Sequence, residues 1–227
     1  MADKPGRLVA EDCPVHIIEE LHPYVSRGGV KLEHALKVFG ISPHEKTAAD
    51  IGASTGGFTD CLLQQGAKKV FAVDVGYGQL DWKLRQDARV VCLDRKNVRH
   101  IEPADFGERV DLAVIDVSFI SLKLVIPAVL KILKPEGDLI ALVKPQFEVG
   151  KDEVENKGII KDPAKHLKVL LSLHAFVQEH GWVIRALTPS PIFGQKGNRE
   201  FLIHCVSKCR GESIGEDDIR RQVESTG

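Results

Sequence analysis

Short apolar and β-branched runs alternate with longer stretches of helical periodicity along most of this chain, and this alternation constrains the fold strongly. Several of the runs are apolar throughout, as expected for strands that are buried on both faces of a sheet. The alternation predicts an α/β fold with a doubly wound, mostly parallel sheet and helices on both faces. The predicted strands are Thr47–Ile51, Val70–Asp74, Val90–Leu93, Leu112–Asp116, Leu139–Lys144, Val183–Leu187 and Phe201–Val206.

Helical signals lie between and before these strands. Residues 122–133 carry an apolar stripe at helical spacing, in which Pro127 indicates a kink or a late helix start. Asp162 and Pro163 are typical of an N-cap and first helical position, and Gly181 can end that helix. The last two strands have no helix between them, which favours antiparallel pairing. A helical face before the first strand is formed by Leu32, Ala35, Leu36 and Phe39.

Composition and charge exclude several classes of protein. The 227 residues include 31 Lys and Arg against 32 Asp and Glu, and 43% of them are apolar. No apolar run approaches the length of a membrane-spanning helix, and the first residues lack the apolar core of a secretory signal. Five cysteines at irregular spacing argue against a disulfide framework. We therefore expect a cytoplasmic protein with no membrane association.

Two stretches are locally basic although the whole chain is nearly neutral. Residues 83–99 carry six basic side chains against two acidic ones, and residues 185–210 carry five against one. Such runs are often solvated charged faces. They also leave room for a polyanionic partner.

A glycine-rich segment, Asp50-Ile-Gly-Ala-Ser-Thr-Gly-Gly-Phe-Thr59, follows the first predicted strand. In a doubly wound sheet this turn lies at the carboxyl ends of the strands, where ligands bind. Its glycines permit a tight turn and close approach of a ligand, and the helix that follows offers free N–H groups. The candidate cofactor-binding residues of this segment are Asp50, Gly52, Ser54, Gly56, Gly57 and Phe58.

Asp74 ends the second predicted strand, 22 residues after Gly52. This is the position of a carboxylate that accepts hydrogen bonds from the ribose of a nucleoside cofactor. NAD is disfavoured because Ala53–Thr55 interrupts the glycine spacing that a pyrophosphate requires. S-adenosylmethionine has no phosphate, and the loop together with a carboxylate such as Asp50 can hold its amino acid end. The pattern favours S-adenosylmethionine.

Other residues near the predicted strand ends have two interpretations. Asn97, just past the third strand, could contact the adenine of the cofactor or could be an ordinary turn residue. Cys205 and Cys209 have the spacing of a metal pair, but no second pair or well-placed histidine accompanies them, so no metal site is predicted. Three aromatic residues could stack on an unpaired base or pack in the core: Phe119, Phe147 and Phe193.

Asp116 and Lys144 end the fourth and fifth predicted strands. A lysine that closes an apolar strand is unusual, because burying an ammonium group is costly unless it is paired. Adjacent strands would place both side chains at one rim, beside the cofactor. A purely structural ion pair is the alternative, but the position at the ligand-binding end of the sheet favours a functional role.

Six segments together resemble the TlyA family, whose members are S-adenosylmethionine-dependent ribosomal RNA 2′-O-methyltransferases that act on cytidine. This family is related to the FtsJ group and is sometimes labelled haemolysin. The resemblance covers about His22 to Ser207 and implies a seven-stranded Rossmann-like methyltransferase sheet, S-adenosylmethionine as cofactor and ribosomal RNA or ribosomal subunits as partner. The segments are Arg27-Gly-Gly-Val-Lys31, Asp50–Thr59, Val73-Asp-Val-Gly-Tyr-Gly-Gln79, Asp116-Val-Ser-Phe119, Lys144-Pro-Gln-Phe-Glu148 and Gly197-Asn-Arg-Glu-Phe201.

The related ribose methyltransferases use a Lys-Asp-Lys-Glu tetrad, which the resemblance maps onto Lys31, Asp116, Lys144 and Glu200. It implies that Lys144 is the general base, that Asp116 orients it beside the cofactor, and that Lys31 and Glu200 hold the ribose and the ammonium network. Asp116-Val-Ser-Phe119 also stands where an Asn-Pro-Pro-Tyr-like motif would follow the fourth strand in an enzyme that methylates a base amine.

Members of this family carry a small S4-type RNA-binding domain ahead of the catalytic domain, and Lys4–Asp12 resembles only the end of it. The expected organisation is a linker or S4 remnant at 1–21, a methyltransferase domain at 22–210 and an acidic tail at 211–227. Such a chain is expected to bind RNA weakly. Two alternative functions remain: an RNA-binding or ribosome-assembly factor with a vestigial pocket, and a membrane-active haemolysin.

Overall fold

The computed structural model describes residues 22–150, 158–194 and 197–224, so the predicted remnant at 1–21 lies outside the described residues. The strands are Thr47–Ile51 (β1), Lys69–Val73 (β2), Val90–Leu93 (β3), Val110–Ile115 (β4), Leu133–Val143 (β5), Trp182–Pro189 (β6) and Phe201–Ser207 (β7). They form one sheet in the order β3-β2-β1-β4-β5-β7-β6. Neighbours among β1 to β5 pair in parallel, and β7 is antiparallel to β5 and to β6. The predicted doubly wound, mostly parallel sheet is confirmed.

Helices cover both faces of this sheet. The α-helices are Gly28–Phe39 (α1), Gly57–Gln64 (α2), Trp82–Arg85 (α3), Ile126–Ile132 (α4), Pro145–Glu148 (α5), Pro163–Glu179 (α6) and Glu216–Glu224 (α7), and short 3₁₀ turns occupy Val98–His100, Pro103–Asp105, Leu122–Leu124 and Lys208–Arg210. Leu112 and Val114 of β4 pack with α1 and α2, whereas Ala113 and Ile115 pack with α4, α6 and α7. Burial on both faces explains the continuous apolar runs.

The apolar stripe over 122–133 does not form one continuous helix, and the late helix start that Pro127 indicated is confirmed. A 3₁₀ turn is capped by Ser121, whose Oγ accepts from the Lys123 N–H at 3.2 Å, and α4 begins afterwards with Pro127 in its first turn. Proline fits a first turn because its missing N–H is not needed there. Leu133, expected in the helix, is the first residue of β5, which begins earlier than the predicted Leu139.

The C-terminal half shows one expected and one unexpected feature. Asp162 caps α6 by accepting from the Ala164 N–H at 2.8 Å, and Gly181 follows the helix with φ of 74°. The segment predicted as an acidic tail contains α7, whose Ile219 and Val223 are buried in the same apolar cluster as α6. Residues 216–224 therefore pack against α6 and β6 at the edge of the sheet.

The loops after β1 and β4 meet at the point where the strand order reverses. The Asp116 N–H donates to the Ile51 carbonyl oxygen at 3.0 Å. Gly52 has φ of 89°, and a Cβ there would lie 2.5 Å from the Asp116 carbonyl oxygen. Only glycine allows the two loops to approach this closely. This switch point is where a doubly wound sheet binds its ligand.

Candidate active site

A cavity of about 400 Å³ opens at the carboxyl ends of the central strands. It is lined by all four residues that the resemblance marked as catalytic, and they come from distant parts of the chain: Lys31 on α1, Asp116 after β4, Lys144 after β5 and Glu200 before β7. Lys31 and Glu200 are 169 residues apart in the sequence. The sheet topology therefore assembles this cavity from four separate elements.

Lys144 and Asp116 form an ion pair at the rim of the sheet. The Lys144 Nζ lies 2.5 Å from Asp116 Oδ1, and the side chains are 12% and 23% exposed. The Lys144 ammonium also donates to Ser118 Oγ at 2.9 Å. The amine is therefore held between the carboxylate and the hydroxyl of the loop that follows β4.

A second ion pair, between Lys31 and Glu200, lies in the same cavity and is more deeply buried. The Lys31 Nζ and the Glu200 Oε2 are 2.5 Å apart, with side chains 11% and 3% exposed. Gly194 makes room for this pair, since a Cβ there would lie 2.2 Å from Glu200 Oε1. Each charge compensates the desolvation of the other, so loss of either residue would leave an uncompensated buried charge.

Asp50 lies fully buried at the base of the cavity. Its Oδ2 accepts from the Thr59 N–H at 2.8 Å and from the Thr59 hydroxyl at 2.7 Å. Its Oδ1 is also buried but has no hydrogen-bond partner among the described residues. Burial raises the pKa of Asp50 to about 7, and the nearby carboxylates of Asp116 and Asp74 add to the rise. The free oxygen is suited to a donor supplied by a ligand.

The glycine-rich loop serves packing as well as the cavity. Gly52, Ser54, Gly57 and Phe58 line the cavity, as predicted for a ligand-binding turn. A Cβ at Gly57 would also lie 2.2 Å from Ser26 Oγ, so this glycine brings α2 against the start of α1. Gly56 is not among the residues that line this cavity. Its missing Cβ would lie 2.3 Å from Leu84 and 2.7 Å from Leu80, so this glycine makes room for those two side chains, and its contact with a cofactor stays a prediction.

A second cavity, of about 1050 Å³, continues from the first to the segments that follow the carboxyl ends of β2 and β3. The two share Gly52, Ser54 and Asp116 among their lining residues. Asp74 lines the second cavity, and its oxygens accept from the Ser54 N–H at 2.8 Å and from the Gly76 N–H at 2.7 Å. Asp74 thus shapes the glycine loop from the neighbouring strand and retains lone pairs for a ligand.

Of the remaining candidates, Asn97, Phe119 and Phe147 line these cavities, and Phe193 lines neither of them. Asn97 lines the second cavity, and its Oδ1 caps a 3₁₀ turn by accepting from the Arg99 N–H at 3.1 Å. Phe119 is 90% exposed, has φ of 64° and packs at 5.0 Å between ring centroids against Phe147. Phe193 is half-exposed, with the Arg199 guanidinium 5.0 Å from its ring centroid. Aromatic surface is therefore available beside the Lys144–Asp116 pair.

Sequence reasoning missed several residues of the site. Ser118 and Gln146 line both cavities, and the exposed Arg27 lines the smaller one. All three lie inside segments that carried the family resemblance, which was the available signal. No local rule marks a serine or a glutamine as a cavity residue, because its placement depends on how two loops meet.

Fewer cationic side chains of the basic stretch 83–99 are available to a polyanion than its composition suggested. Most of its cations are paired with carboxylates: Lys83 with Asp60, Arg85 with Asp94, Arg89 with Asp87 and Lys96 with Asp105. Arg95 stacks over the exposed Tyr77 ring at 4.3 Å. The cationic surface for a polyanion is therefore smaller here than the count of basic residues predicts.

The described residues contain neither a metal-ion cluster nor a membrane-spanning helix. Within residues 22–150, 158–194 and 197–224, no cluster of three or more His, Cys, Asp or Glu side chains is arranged to hold a metal ion. Cys205 is fully buried in β7, and burial raises the pKa of its thiol to about 12. No helix in the described part of the chain is both long and apolar enough to span a bilayer.

Comparison with known proteins identifies the family. The model of the FtsJ-like methyltransferase family matches residues 24–206. "Putative rRNA methyltransferase YqxC" of Bacillus subtilis is 50% identical over 98% of this chain and 80% of its own length. The 16S/23S rRNA (cytidine-2′-O)-methyltransferase TlyA of Mycobacterium tuberculosis is 44% identical over 89% of this chain and 76% of its own length.

Solved structures agree with this result. The structure described as "Putative hemolysin from Streptococcus thermophilus" superposes with a TM-score of 0.87 at 49% identity, covering 91% of this chain and 75% of that chain. The structure described as "crystal structure of a putative RNA methyltransferase PH1948 from Pyrococcus horikoshii" shares the fold, with 17% identity and a TM-score of 0.56 over 81% of this chain and 86% of that chain. The match over residues 24–206 and the close relatives place this chain in the FtsJ-like methyltransferase family.

Proposed function

We propose that this chain transfers a methyl group from S-adenosylmethionine to a ribose 2′-hydroxyl of ribosomal RNA, with cytidine as the target nucleoside. The observation that carries this proposal is the convergence of Lys31, Asp116, Lys144 and Glu200 on one cavity beside Asp50 and Gly52. Two relatives named for cytidine 2′-O-methylation of ribosomal RNA, at 44% and 34% identity, support the choice of substrate.

The residues of the two cavities fit S-adenosylmethionine. The free Oδ1 of buried Asp50 can accept a hydrogen bond from the cofactor's amino group. Asp74 can accept from the ribose hydroxyls, and Asn97 and Val98 border the space for the adenine. When bound, the cofactor supplies a methyl group activated by a positively charged sulfur. Acidic side chains at both ends of the site suit a ligand that carries cationic and hydroxyl donors.

Lys144 is the residue that we assign to proton removal. A ribose hydroxyl is a weak nucleophile and must lose its proton as it reacts, which a positioned general base promotes. The Lys144 amine must itself be neutral to accept that proton. Its contacts with Asp116 and Ser118 fix the nitrogen at the rim of the cavity. Asp116 therefore acts by orienting the amine.

The Lys31–Glu200 pair is assigned to the nucleotide. Its two charges are buried and compensate each other, so the pair is a rigid polar surface within the cavity. The ammonium can donate to a ribose oxygen, and the carboxylate can accept from a hydroxyl. Rigid placement of such groups lowers the entropy lost when the ribose is oriented for reaction.

The proposal can be tested by methyl transfer from radiolabelled S-adenosylmethionine to ribosomal subunits, followed by alkaline hydrolysis of the RNA. A 2′-O-methyl group blocks cleavage of the adjacent phosphodiester, so the label should be recovered in an alkali-resistant dinucleotide. Nuclease digestion should then identify the labelled nucleoside as cytidine. Label in a base-methylated mononucleotide would contradict the assignment to ribose. Label absent from RNA, with both subunits and free ribosomal RNA offered, would contradict the proposed substrate.

A further inference from the structure

Glu148, the last residue of α5, connects two loops of the site although it lines neither cavity among the described residues. Its Oε2 accepts from the Ser121 hydroxyl at 2.6 Å, and its Oε1 accepts from the Leu122 N–H at 2.7 Å. Both carboxylate oxygens are therefore engaged by the end of the loop that follows β4. Glu148 itself lies four residues after Lys144, on the segment that follows β5.

The loop after β4 is attached at three places. Its start is held by the Asp116 N–H, which donates to the Ile51 carbonyl at 3.0 Å. Its middle is held by Lys144, which donates to Ser118 Oγ at 2.9 Å. Its end is held by Glu148. Hydrogen bonds to an ionised acceptor are roughly twice as strong as neutral ones, so Glu148 is a strong attachment.

Phe119 lies between the second and third attachments in a conformation that needs support. Its φ of 64° is in the left-handed region, which is unfavourable for a bulky side chain. Such a residue keeps this conformation only when the surrounding structure imposes it. Its ring is 90% exposed and has one aromatic neighbour, Phe147, which immediately precedes Glu148 in the chain. Release of the loop end would therefore allow Phe119 to relax.

We propose that Glu148 is a positioning residue for methyl transfer, which fastens the loop after β4 to the segment after β5 and so keeps Asp116, Ser118 and Phe119 in place around Lys144. The inference rests on the proposed function for the role of Lys144. Glu148 is not expected to contact the substrate. It acts by fixing the positions of the loop residues, because a misplacement of about 1 Å at reacting groups can lower a rate by about 10²-fold.

The test compares Glu148→Ala and Glu148→Gln with Asp162→Ala. Asp162 is a matched control, since its carboxylate also accepts a backbone N–H at a helix start, that of Ala164 at 2.8 Å. Three measurements are made on each variant: kcat and KM for methyl transfer to ribosomal subunits, calorimetric affinity for S-adenosylmethionine, and hydrogen exchange of the amides of residues 117–122.

Glu148→Ala should lower kcat by about 10- to 100-fold and leave the KM for RNA and the cofactor affinity within about twofold. The Leu122 amide should exchange faster. Glu148→Gln keeps a side chain of the same length with one acceptor oxygen, so its kcat should lie between those of the wild type and Glu148→Ala. Asp162→Ala should show lower thermal stability with an unchanged kcat. If Glu148→Ala does not fold, Ser121→Ala removes one of the two bonds and should give a smaller decrease in the same direction.

Three results would overturn the inference. The first two are wild-type kcat in Glu148→Ala and unchanged exchange of the Leu122 amide in that variant. The third is an equal loss of kcat in Asp162→Ala, because it would show a general effect of stability. A wild-type chain that transfers no methyl group to RNA would contradict the proposed function and the catalytic consequence of Glu148. The Leu122 exchange would still decide whether Glu148 holds the loop.

Discussion

Two Lys–Asp ion pairs lie at opposite ends of the same two strands. At the amino ends of β4 and β5, the Lys134 Nζ is 2.6 Å from Asp111 Oδ1, and at the carboxyl ends the Lys144 Nζ is 2.5 Å from Asp116 Oδ1. The residue types and distances are nearly the same. The Lys134 side chain, however, is 37% exposed and the Lys144 side chain is 12% exposed.

The surroundings of the two pairs differ more than the pairs themselves. Asp111 also accepts from the Thr47 N–H at 2.9 Å, and its bonds outweigh its partial burial, so its pKa is lowered. The hydrogen bond that Lys134 donates to Asp111 raises the pKa of Lys134, and neither Lys134 nor Asp111 lines the two cavities of the candidate site. The Lys144–Asp116 pair shares a cavity with Lys31, Glu200 and Asp50. An ion pair at a strand end is therefore not itself a site, and its position at the switch point makes the difference.

The largest expected effect separates the two lysines directly. Lys144→Ala should lower the rate of methyl transfer by about 10²- to 10⁴-fold, because it removes the proposed general base. The same substitution at Lys134 removes an equivalent ion pair far from the cavity and should leave the rate unchanged. Single-turnover transfer to ribosomal subunits measures both, and calorimetry should show little change in cofactor affinity for either variant. Similar rates in the two variants would show that the Lys144–Asp116 pair has no more effect on catalysis than the Lys134–Asp111 pair.

Burial of the second pair should give a large effect on stability. Lys31→Ala leaves the Glu200 carboxylate, 3% exposed, without its partner. We expect the free energy of unfolding to fall by about 3 kcal/mol. Lys134→Ala should cost at most about 1 kcal/mol, because the side chains of that pair are 37% and 28% exposed and water screens their attraction. Urea denaturation of the two variants measures this difference. Equal midpoints would show that the Lys31–Glu200 pair is hydrated in solution.

Cofactor binding should depend on the acidic residue at the end of β2. Asp74→Ala removes an acceptor for the ribose hydroxyls and loosens the Ser54 turn, so we expect S-adenosylmethionine affinity to weaken by about 1.5–3 kcal/mol. Asp111→Ala removes a carboxylate from the opposite end of the sheet and should leave the affinity unchanged. Calorimetry at a single pH measures the S-adenosylmethionine affinity of both variants. Unchanged affinity in Asp74→Ala would refute the assignment of the second cavity to the nucleoside.

The smallest expected effect is a pH dependence of that affinity. Burial raises the pKa of Asp50 to about 7, so in the free protein the carboxyl group gains a proton as pH falls through that value. A bound ammonium group favours the ionised form. Affinity for S-adenosylmethionine should therefore be constant above about pH 7 and fall by up to about tenfold per pH unit below it.

Substitutions of Asp50 and Asp111 test which group causes the pH dependence of cofactor affinity. Asp50→Asn cannot ionise, and it should bind the cofactor more weakly with a flat profile. Asp111→Asn should keep the wild-type profile, because the lowered pKa of Asp111 leaves it ionised throughout this range. A sloping profile in Asp50→Asn would assign the titration to another group.

The positions of the strands along the chain could be predicted because their signals are local. Each buried run, such as Thr47–Ile51, is a short continuous apolar stretch, and all seven predicted strands are present with ends that differ by a few residues. The largest difference is the start of β5. Leu133 continues the apolar stripe of the preceding helix in the sequence, but in the sheet it pairs with Val110 of β4. A partner strand so distant in the chain leaves no trace in the local pattern.

The residues of the candidate site also fall into those that local spacing identified and those that it did not. The turn after β1 and the acid after β2 belong to one continuous β-α-β unit, so Asp50, Gly52 and Asp74 could be selected from their spacing alone. Lys31 and Glu200 could not, because they meet across 169 residues, and only resemblance to a family indicated them. Ser118, Gln146 and Glu148 lay inside recognised segments, but no rule about residue type distinguished them from their neighbours.

Local steric limits and the pattern of apolar residues were enough to specify the strands, helices α1, α2, α4 and α6, and a ligand-binding turn at the carboxyl edge of the sheet. Long-range packing settled the rest. It packed Leu80 and Leu84 against Gly56, placed α7 against α6, and paired Lys31 with Glu200. It also placed one of two similar Lys–Asp pairs in a cavity and left the other partly exposed at the opposite end of the strands. The physical reason is that hydrogen bonding and apolar burial within one element depend on neighbouring residues, whereas desolvation of a charge depends on every element that surrounds it.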